Sequence, residues 1–126
     1  MKVQRVYHHH AISIEPWATL REAATRMRAG GFSCLPVVSD GELFGIITER
    51  DLVEALSSDL HPEASTVFSH MSEAPETVTP DDECADAVTK MLALGCRHLP
   101  VMEDGKMVGI VSARDLLPLA ATAASV

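Results

Sequence analysis

The sequence GIITERD, from Gly45 to Asp51, recurs as GIVSARD from Gly109 to Asp115. The same shift of 64 positions aligns residues 14–53 with residues 78–117 without a gap, and 16 of these 40 positions are identical. Ordinary residue frequencies would give roughly two or three identities. The chain therefore holds two copies of one supersecondary unit, and we expect any groove formed where the copies meet to occur twice.

Length and composition predict one folded body. The 126 residues can bury a single core, and 47% hydrophobic with 22% charged residues is an ordinary globular composition. No apolar run reaches the roughly 18 residues of a membrane helix, and the start of the chain lacks the apolar core of a signal peptide. We therefore expect a cytoplasmic protein with no membrane contact. A net charge of −8 disfavours a nucleic-acid polymer as partner, although local arginines can still bind a single phosphate.

The three cysteines, Cys34, Cys84 and Cys96, are predicted to be buried free thiols. Their number is odd, and the repeat aligns Cys84 with Leu20 and Cys96 with Phe32, which are apolar residues. A framework of disulfide bonds is not expected from this pattern.

A short strand and a helix are predicted at the start of each copy. The apolar stretches at 11–14 and 77–78 run into a proline, which is typical of a brief strand that ends there. Thr19 to Glu22 has the pattern of a capping box, and apolar residues follow at helical spacing. Gly31 and Gly95 are expected to end the two helices in the left-handed conformation.

A hairpin and a second helix are predicted to complete each copy. Asp40-Gly41 and Asp104-Gly105 each stand between two apolar runs, which is a strong hairpin signal. Thr48 and Ser112 then suit the N-cap of a helix. Each copy is therefore predicted to be β-α-β-β-α, and the fold class is α+β with tandem repeats forming one pseudo-two-fold module.

Boundaries follow from this pattern. We expect the first repeat at residues 1–57, a linker at 58–76, the second repeat at 77–118 and a frayed tail at 119–126. The linker is polar, with one helical turn expected from Val67 to Met71.

The repeated GIITERD element is the strongest candidate for a binding site. It places a hydroxyl, an arginine and a carboxylate at the start of a helix, where unpaired N–H groups and partial positive charge favour phosphate. A carboxylate can accept hydrogen bonds from ribose hydroxyls, so the element can hold a nucleotide. The same residues also form the pattern of a capping box, in which Asp51 and Asp115 only bind their own helix ends. Both interpretations stay open at this point.

The doubled β-α-β-β-α order, the Gly-x-x-Thr/Ser-x-Arg-Asp element and the Leu-Pro-Val strands resemble the cystathionine beta-synthase (CBS) domain, here as a tandem pair over about residues 1–118. The resemblance implies two clefts between the copies that bind AMP, ADP, ATP or S-adenosylmethionine as a regulatory ligand. Asp51 and Asp115 would hold ribose, and Thr48, Arg50, Ser112 and Arg114 would face phosphate. The residues implied to line the base are Phe32, Ser33 and Cys34 in the first copy, and Cys96, Arg97 and His98 in the second.

Buried packing is the competing explanation for Phe32, Cys34 and Cys96. Arg97 and His98 give the second copy a polar or cationic character that Ser33 and Cys34 do not give the first. One site is therefore expected to favour phosphate more than the other.

Two other functions compete with nucleotide sensing. The first is a ligand-free structural or interaction module, and the second is a metal sensor built from Tyr7 to His10 with His61 or His70, although no zinc-ligand spacing is present. No nucleophile with a partnered base is apparent, so we expect no catalytic residue, no metal site and no enzymatic activity. The expected partners are an unidentified effector protein and a second copy of the chain. The face expected to form that homodimer comprises Leu52, Val53, Leu56, Leu116 and Leu117.

Overall fold

The computed structural model describes residues 1–8, 12–58, 61–73 and 76–116. The chain divides into two compact units, each with its own core. The first-copy unit is Ile12–Pro75, and the second-copy unit combines Met1–Ala11 with Glu76–Val126. The mixture of helices and strands confirms the predicted α+β class.

The first-copy unit holds two helices and one antiparallel sheet. Helix α1 spans Leu20–Gly30, strands β1 and β2 span Cys34–Ser39 and Glu42–Thr48, and helix α2 spans Glu49–Ser57. A short strand β3, Ser72–Glu73, pairs with β2, so the strand order is β1-β2-β3.

The second-copy unit repeats this arrangement. It begins with a 3₁₀ turn at Val3–Arg5 and continues with helix α3 at Cys84–Leu94. Strands β4 and β5, at His98–Glu103 and Lys106–Ser112, form an antiparallel pair. Residues 113–116 are helical, and the rest of the predicted last helix lies outside the described residues.

Both predicted hairpins are confirmed. Asp40 and Gly41 have φ values of 52° and 79°, and Asp104 and Gly105 have 52° and 78°. Two consecutive residues with positive φ define the type I′ turn, whose twist matches that of the flanking strands. Both hairpins also have a register shift at the same place, between Val37 and Val38 in the first hairpin and between Val101 and Met102 in the second.

The helix ends also match the prediction. Gly31 and Gly95 lie in the left-handed region, with φ of 71° and 67°, and their N–H groups donate to Met27 and Met91 respectively. The Thr19 hydroxyl accepts a bond from the Glu22 N–H at 3.1 Å. The glycine bonds end each helix just before its hairpin, and the Thr19 bond caps the start of α1.

The predicted strand at the start of each copy is wrong in extent. Ile14 and Val78 each form only a single bridge, to Val37 and Val101, in the parallel sense. Ile14 N–H donates to Pro36 O, and Val38 N–H donates to Ile14 O. The next bonds of a parallel ladder would need N–H groups from Pro16 and Pro36, which proline lacks. The ladder therefore stops after one residue, and prolines at the equivalent positions stop it in the second copy.

Segments before each copy complete the two cores. Val67 N–H donates to Ala18 O at 2.8 Å, and Val3 N–H donates to Asp82 O at 2.9 Å, which is the same bond 64 positions apart. Val3 and Val67 are fully buried. The predicted helical turn is present, because Met71 N–H donates to Val67 O. Residues 61–73 of the predicted linker thus belong to the first-copy unit.

The cores explain where the cysteines lie. Cys34, Cys84 and Cys96 are all buried and free, as predicted. Burial raises the pKa of the Cys84 thiol, and nearby Glu83 adds to this effect. Within the described ranges no helix has the length and apolarity needed to cross a bilayer.

Candidate functional site at the helix starts

The start of α2 is a complete capping box. Thr48 N–H donates to Asp51 Oδ2 at 2.8 Å, and Asp51 N–H donates to Thr48 Oγ1 at 3.1 Å. The capping interpretation is therefore confirmed for the first copy. The cap uses Oδ2 of Asp51 and leaves Oδ1 outside it.

The second copy has the same box with two additional bonds. Ser112 N–H and Ser112 Oγ donate to Asp115 Oδ2 at 3.2 and 2.8 Å, and Asp115 N–H donates to Ser112 Oγ at 3.3 Å. The other oxygen, Oδ1, lies 3.0 Å from His8 Nε2. Both oxygens of Asp115 are therefore engaged, whereas the cap engages only one oxygen of Asp51.

Capping does not remove a carboxylate from ligand binding. An ionised carboxyl group offers about four lone-pair positions, and a cap takes one or two of them. The cap instead fixes the side-chain rotamer and holds the charge at the positive end of the helix. Asp51 is half-buried, so its second oxygen is preorganised and within reach of a ligand.

Backbone bonds bring the predicted base-lining residues to the same place. Glu49 N–H donates to Ser33 O at 2.9 Å, and Ala113 N–H donates to Arg97 O at 2.7 Å. Each loop before a Leu-Pro strand is thereby held against the start of a helix. Cys34 pairs with Thr48 in the first sheet, and His98 pairs with Ser112 in the second. Within each unit, the predicted site residues therefore form one cluster.

The predicted site residues differ in how deeply they are buried. Cys34 and Cys96 are buried, as the packing interpretation predicted, and the Cys96 thiol donates to His98 O at 3.0 Å. Phe32 is half-buried and packs against the first-copy core. Ser33 is also half-buried, and the side chains of Arg50, Arg97 and Arg114 are exposed. The exposed arginines can therefore meet an anion without being drawn from the core.

Two groups of the second-copy cluster have shifted pKa values. Burial by itself would raise the pKa of Asp115, but hydrogen bonds from Ser112 and His8 outweigh it and lower that pKa. Burial also lowers the pKa of His98, with Arg97 and Arg114 adding to the effect and Asp115 opposing it. At neutral pH the cluster thus combines an ionised carboxylate and a neutral buried imidazole with exposed arginines.

The histidines do not form a metal centre in the part of the chain that the structure describes. No group of three His, Cys, Asp or Glu side chains there could hold an ion. His8 is instead bonded to Asp115. The proposed ligands His9 and His10 lie outside the described residues.

A separate groove of about 240 Å³ lies between α1 and α2. Arg21, at its edge, is ion-paired with Glu63. Val53 and Leu56 on α2 are 63% and 58% exposed, whereas Leu116 is 2% exposed and belongs to the second-copy core. The predicted dimer face is therefore wrong for Leu116, because that side chain is used in its own core; Leu117 lies outside the described residues. Leu20, Arg21, Ala24, Thr25, Arg28, Leu52, Leu56 and Pro62 line this groove, and none of them belongs to the predicted ligand site.

Comparison with known proteins identifies the family. A model of the CBS domain matches residues 3–58 and 64–121, and the chain belongs to this family. CBS pairs are regulatory domains.

Three similar proteins illustrate the relationship. An uncharacterized 17.7 kDa protein from Acidianus ambivalens is 40% identical over 91% of this chain and 70% of its own length. The uncharacterized protein MK0525 from Methanopyrus kandleri is 37% identical over 93% of this chain, which spans 61% of that protein. The CBS domain pair of protein MJ0100, solved in complex with 5′-methylthioadenosine and S-adenosyl-L-methionine, is 26% identical, with a TM-score of 0.82 over 98% of both chains.

Sequence reasoning missed His8 as a member of the cluster. His8 was predicted only as a possible metal ligand, because nothing in the local pattern links residue 8 to residue 115. Extending the 64-residue shift backwards aligns His8 with Ser72, just before the second copy, and this alignment does not link residue 8 to residue 115.

Proposed function

We propose that this chain is a regulatory module that binds an adenosine-containing ligand at the capped helix starts of its two copies. Asp51 and Asp115 accept hydrogen bonds from the ribose hydroxyls. The phosphate or another anionic group is faced by Thr48, Arg50, Ser112 and Arg114. The candidate ligands are AMP, ADP, ATP and S-adenosylmethionine. The chain itself catalyses no reaction.

The observation that carries this proposal is the free oxygen of a fixed carboxylate. Asp51 Oδ2 is held by Thr48 N–H at 2.8 Å, so Oδ1 has one orientation and needs no reorganisation to accept a hydroxyl. Such an acceptor, next to Arg50 and a helix N-terminus, suits a molecule with a diol and an anionic end. The CBS domain pair of protein MJ0100, which is similar to this chain, was solved with two adenosine compounds, and this supports the same ligand class for this chain.

The residues before the Leu-Pro strands contribute the base-binding surface in this proposal. Phe32, Ser33 and Arg97 have accessible side-chain surface for the adenine ring. Cys34, Cys96 and His98 are buried and shape that surface from below. An aromatic or guanidinium plane is well suited to stack on a base.

Ligand binding would act on a partner through a change in shape or assembly. The ligand can shift the module only by its difference in affinity for the two arrangements. The exposed side chains of Val53 and Leu56 are the part of the predicted dimer face that stays available, and we propose self-association through α2. The proposed effector is an unidentified protein, and the proposed compartment is the cytoplasm, where the free thiols of this chain stay reduced.

Calorimetric titration with AMP, ATP and S-adenosylmethionine tests the proposal. Asp51→Asn and Asp115→Asn keep an oxygen for the capping bond but replace the second acceptor with a donor, so each is expected to weaken binding at its own site by about 10- to 100-fold. Asp82→Asn is the matched control, since Asp82 Oδ2 accepts a similar bond from Thr79 N–H at 2.8 Å outside the site. Failure of all three compounds to bind the folded chain would refute nucleotide sensing.

One observation favours the second candidate, a ligand-free interaction module. Both aspartates do cap their own helices, which accounts for their presence without any ligand. That candidate predicts that the asparagine variants lower stability slightly and change nothing else. The titration therefore separates the two functions.

A further inference from the structure

The segment before the first copy is held tightly against β5. His8 N–H donates to Ile110 O at 2.8 Å, and Ile110 N–H donates to His8 O at 2.9 Å. A Cβ atom at Gly109 would lie 2.3 Å from His8 O and 2.5 Å from Tyr7 Cδ2. Only glycine at position 109 therefore permits this approach.

This docking brings the His8 side chain to Asp115. His8 Nε2 lies 3.0 Å from Asp115 Oδ1, the oxygen that the cap does not use. The His8 side chain is 63% exposed and that of Asp115 is 20% exposed. The contact therefore covers the outer oxygen of a largely buried carboxylate with a side chain that can swing into solvent.

The first copy has the same backbone arrangement without this contact. Ser72 pairs with Ile46 as His8 pairs with Ile110, since Ser72 lies 64 positions after His8 and Ile46 lies 64 positions before Ile110. Gly45 permits the approach, since a Cβ there would lie 2.4 Å from Ser72 O. The serine side chain is too short to replace the imidazole, and no hydrogen bond joins it to Asp51 among the described residues. At this position the first copy thus has a serine that leaves Asp51 uncovered, and the second copy has a histidine that covers Asp115.

We infer that His8 makes the two ligand sites unequal by holding the ribose-binding oxygen of Asp115. This inference rests on the proposed function and concerns its regulation. A ligand reaches Asp51 Oδ1 directly, but it must displace His8 from Asp115 Oδ1. His8 therefore raises the ligand concentration at which the second-copy site fills, and no equivalent contact acts on the first-copy site among the described residues.

Exchange of the two residues tests this inference. AMP binding is measured by calorimetry for the whole chain, for His8→Ser and for Ser72→His. His8→Ser is also measured in the Asp51→Asn background to isolate the second-copy site, and Ser72→His in the Asp115→Asn background to isolate the first-copy site. His8→Ser is expected to tighten the second-copy site by roughly two- to fivefold, the range for a pair with one exposed partner. Ser72→His is expected to weaken the first-copy site by a similar factor, and thermal unfolding checks that both variants are folded.

The outcomes distinguish a failure of the proposed nucleotide binding from a failure of the role of His8. If AMP binds neither the parent chain nor any variant, the proposed function fails and the role of His8 fails with it. If AMP binds but His8→Ser leaves the second-copy site unchanged or weaker, the inference alone is overturned, because His8 is then neutral or contacts the ligand itself. His8→Ala, which also removes the donor, serves as a second variant should His8→Ser not fold.

Discussion

At the residue scale, the chemistry of each copy depends on which side chain follows the glycine-ended helix. The first copy places Cys34 at the position where the second copy places His98, and both are buried. Burial, with Arg97 and Arg114 adding to its effect, lowers the pKa of His98, so the second copy carries an imidazole with a lowered pKa where the first copy carries a thiol. The alignment of the two copies shows that His98 takes the place of Cys34. Whether the pKa of His98 is raised or lowered depends on its burial, which the alignment does not give.

His98 is expected to make the protein less stable in mild acid. Its pKa in the folded chain is lowered from the ordinary value of 6.5, so the unfolded chain binds the proton first. The stability that depends on neutral His98 is fully present above pH 6.5 and is lost as the pH falls through the folded-state pKa. His98→Cys, which copies the first repeat, should remove this part of the pH dependence, as urea unfolding at several pH values between 7.5 and 5 would reveal. Equal pH dependence in the two proteins would contradict the assignment.

At the element scale, local signals predicted those features that local bonds determine. The two Asp-Gly turns, the glycine helix ends and the caps at Thr48 and Ser112 all form within a few residues, and all were predicted. The opening strands were overestimated because their length depends on a distant partner. Pro36 and its equivalent lack the N–H that a second ladder bond requires, and that partnership is not visible from residues 11–14 alone.

A missing cap at α3 offers a test of the repeat at this scale. Thr19 caps α1 through its hydroxyl, but Glu83, the equivalent residue before α3, makes no side-chain cap bond. The two residues have similar extended backbone angles, with φ of −82° and −76°. Glu83→Thr should therefore raise the free energy of unfolding by about 0.5–1 kcal/mol, and Thr19→Ala should lower it by about 1 kcal/mol. Chemical denaturation measures both, and a destabilising Glu83→Thr would show that the two helix starts are not equivalent.

At the scale of the whole molecule, the chain is built from two units that exchange the segments preceding them. Residues 1–8 pack with the second copy, and residues 61–73 pack with the first. This exchange could not be predicted from residue identities, because Val3 and Val67 are the one identical pair when residues 1–8 are aligned with residues 65–72. Where one repeat ends and the next begins along the sequence, and which residues bind ligand, stay predictions.

The exchanged segments should contribute equally to the two cores. Val3 and Val67 are both fully buried, so Val3→Ala and Val67→Ala should each lower the free energy of unfolding by about 2 kcal/mol. Val53→Ala is the control, because Val53 is 63% exposed and its loss should cost no more than about 0.5 kcal/mol. Urea unfolding provides the comparison. A Val3→Ala protein as stable as the parent would mean that the first residues do not complete the second-copy core.

A crystal structure of the chain with AMP would show whether each fixed aspartate holds a ribose. We expect the capping bond from Thr48 N–H to Asp51 Oδ2 to persist while the ribose hydroxyls lie within hydrogen-bond distance of Oδ1. At the second copy, His8 should have left Asp115 wherever AMP is bound. AMP bound elsewhere, with Asp51 and Asp115 contacting only their own helix starts, would contradict this expectation.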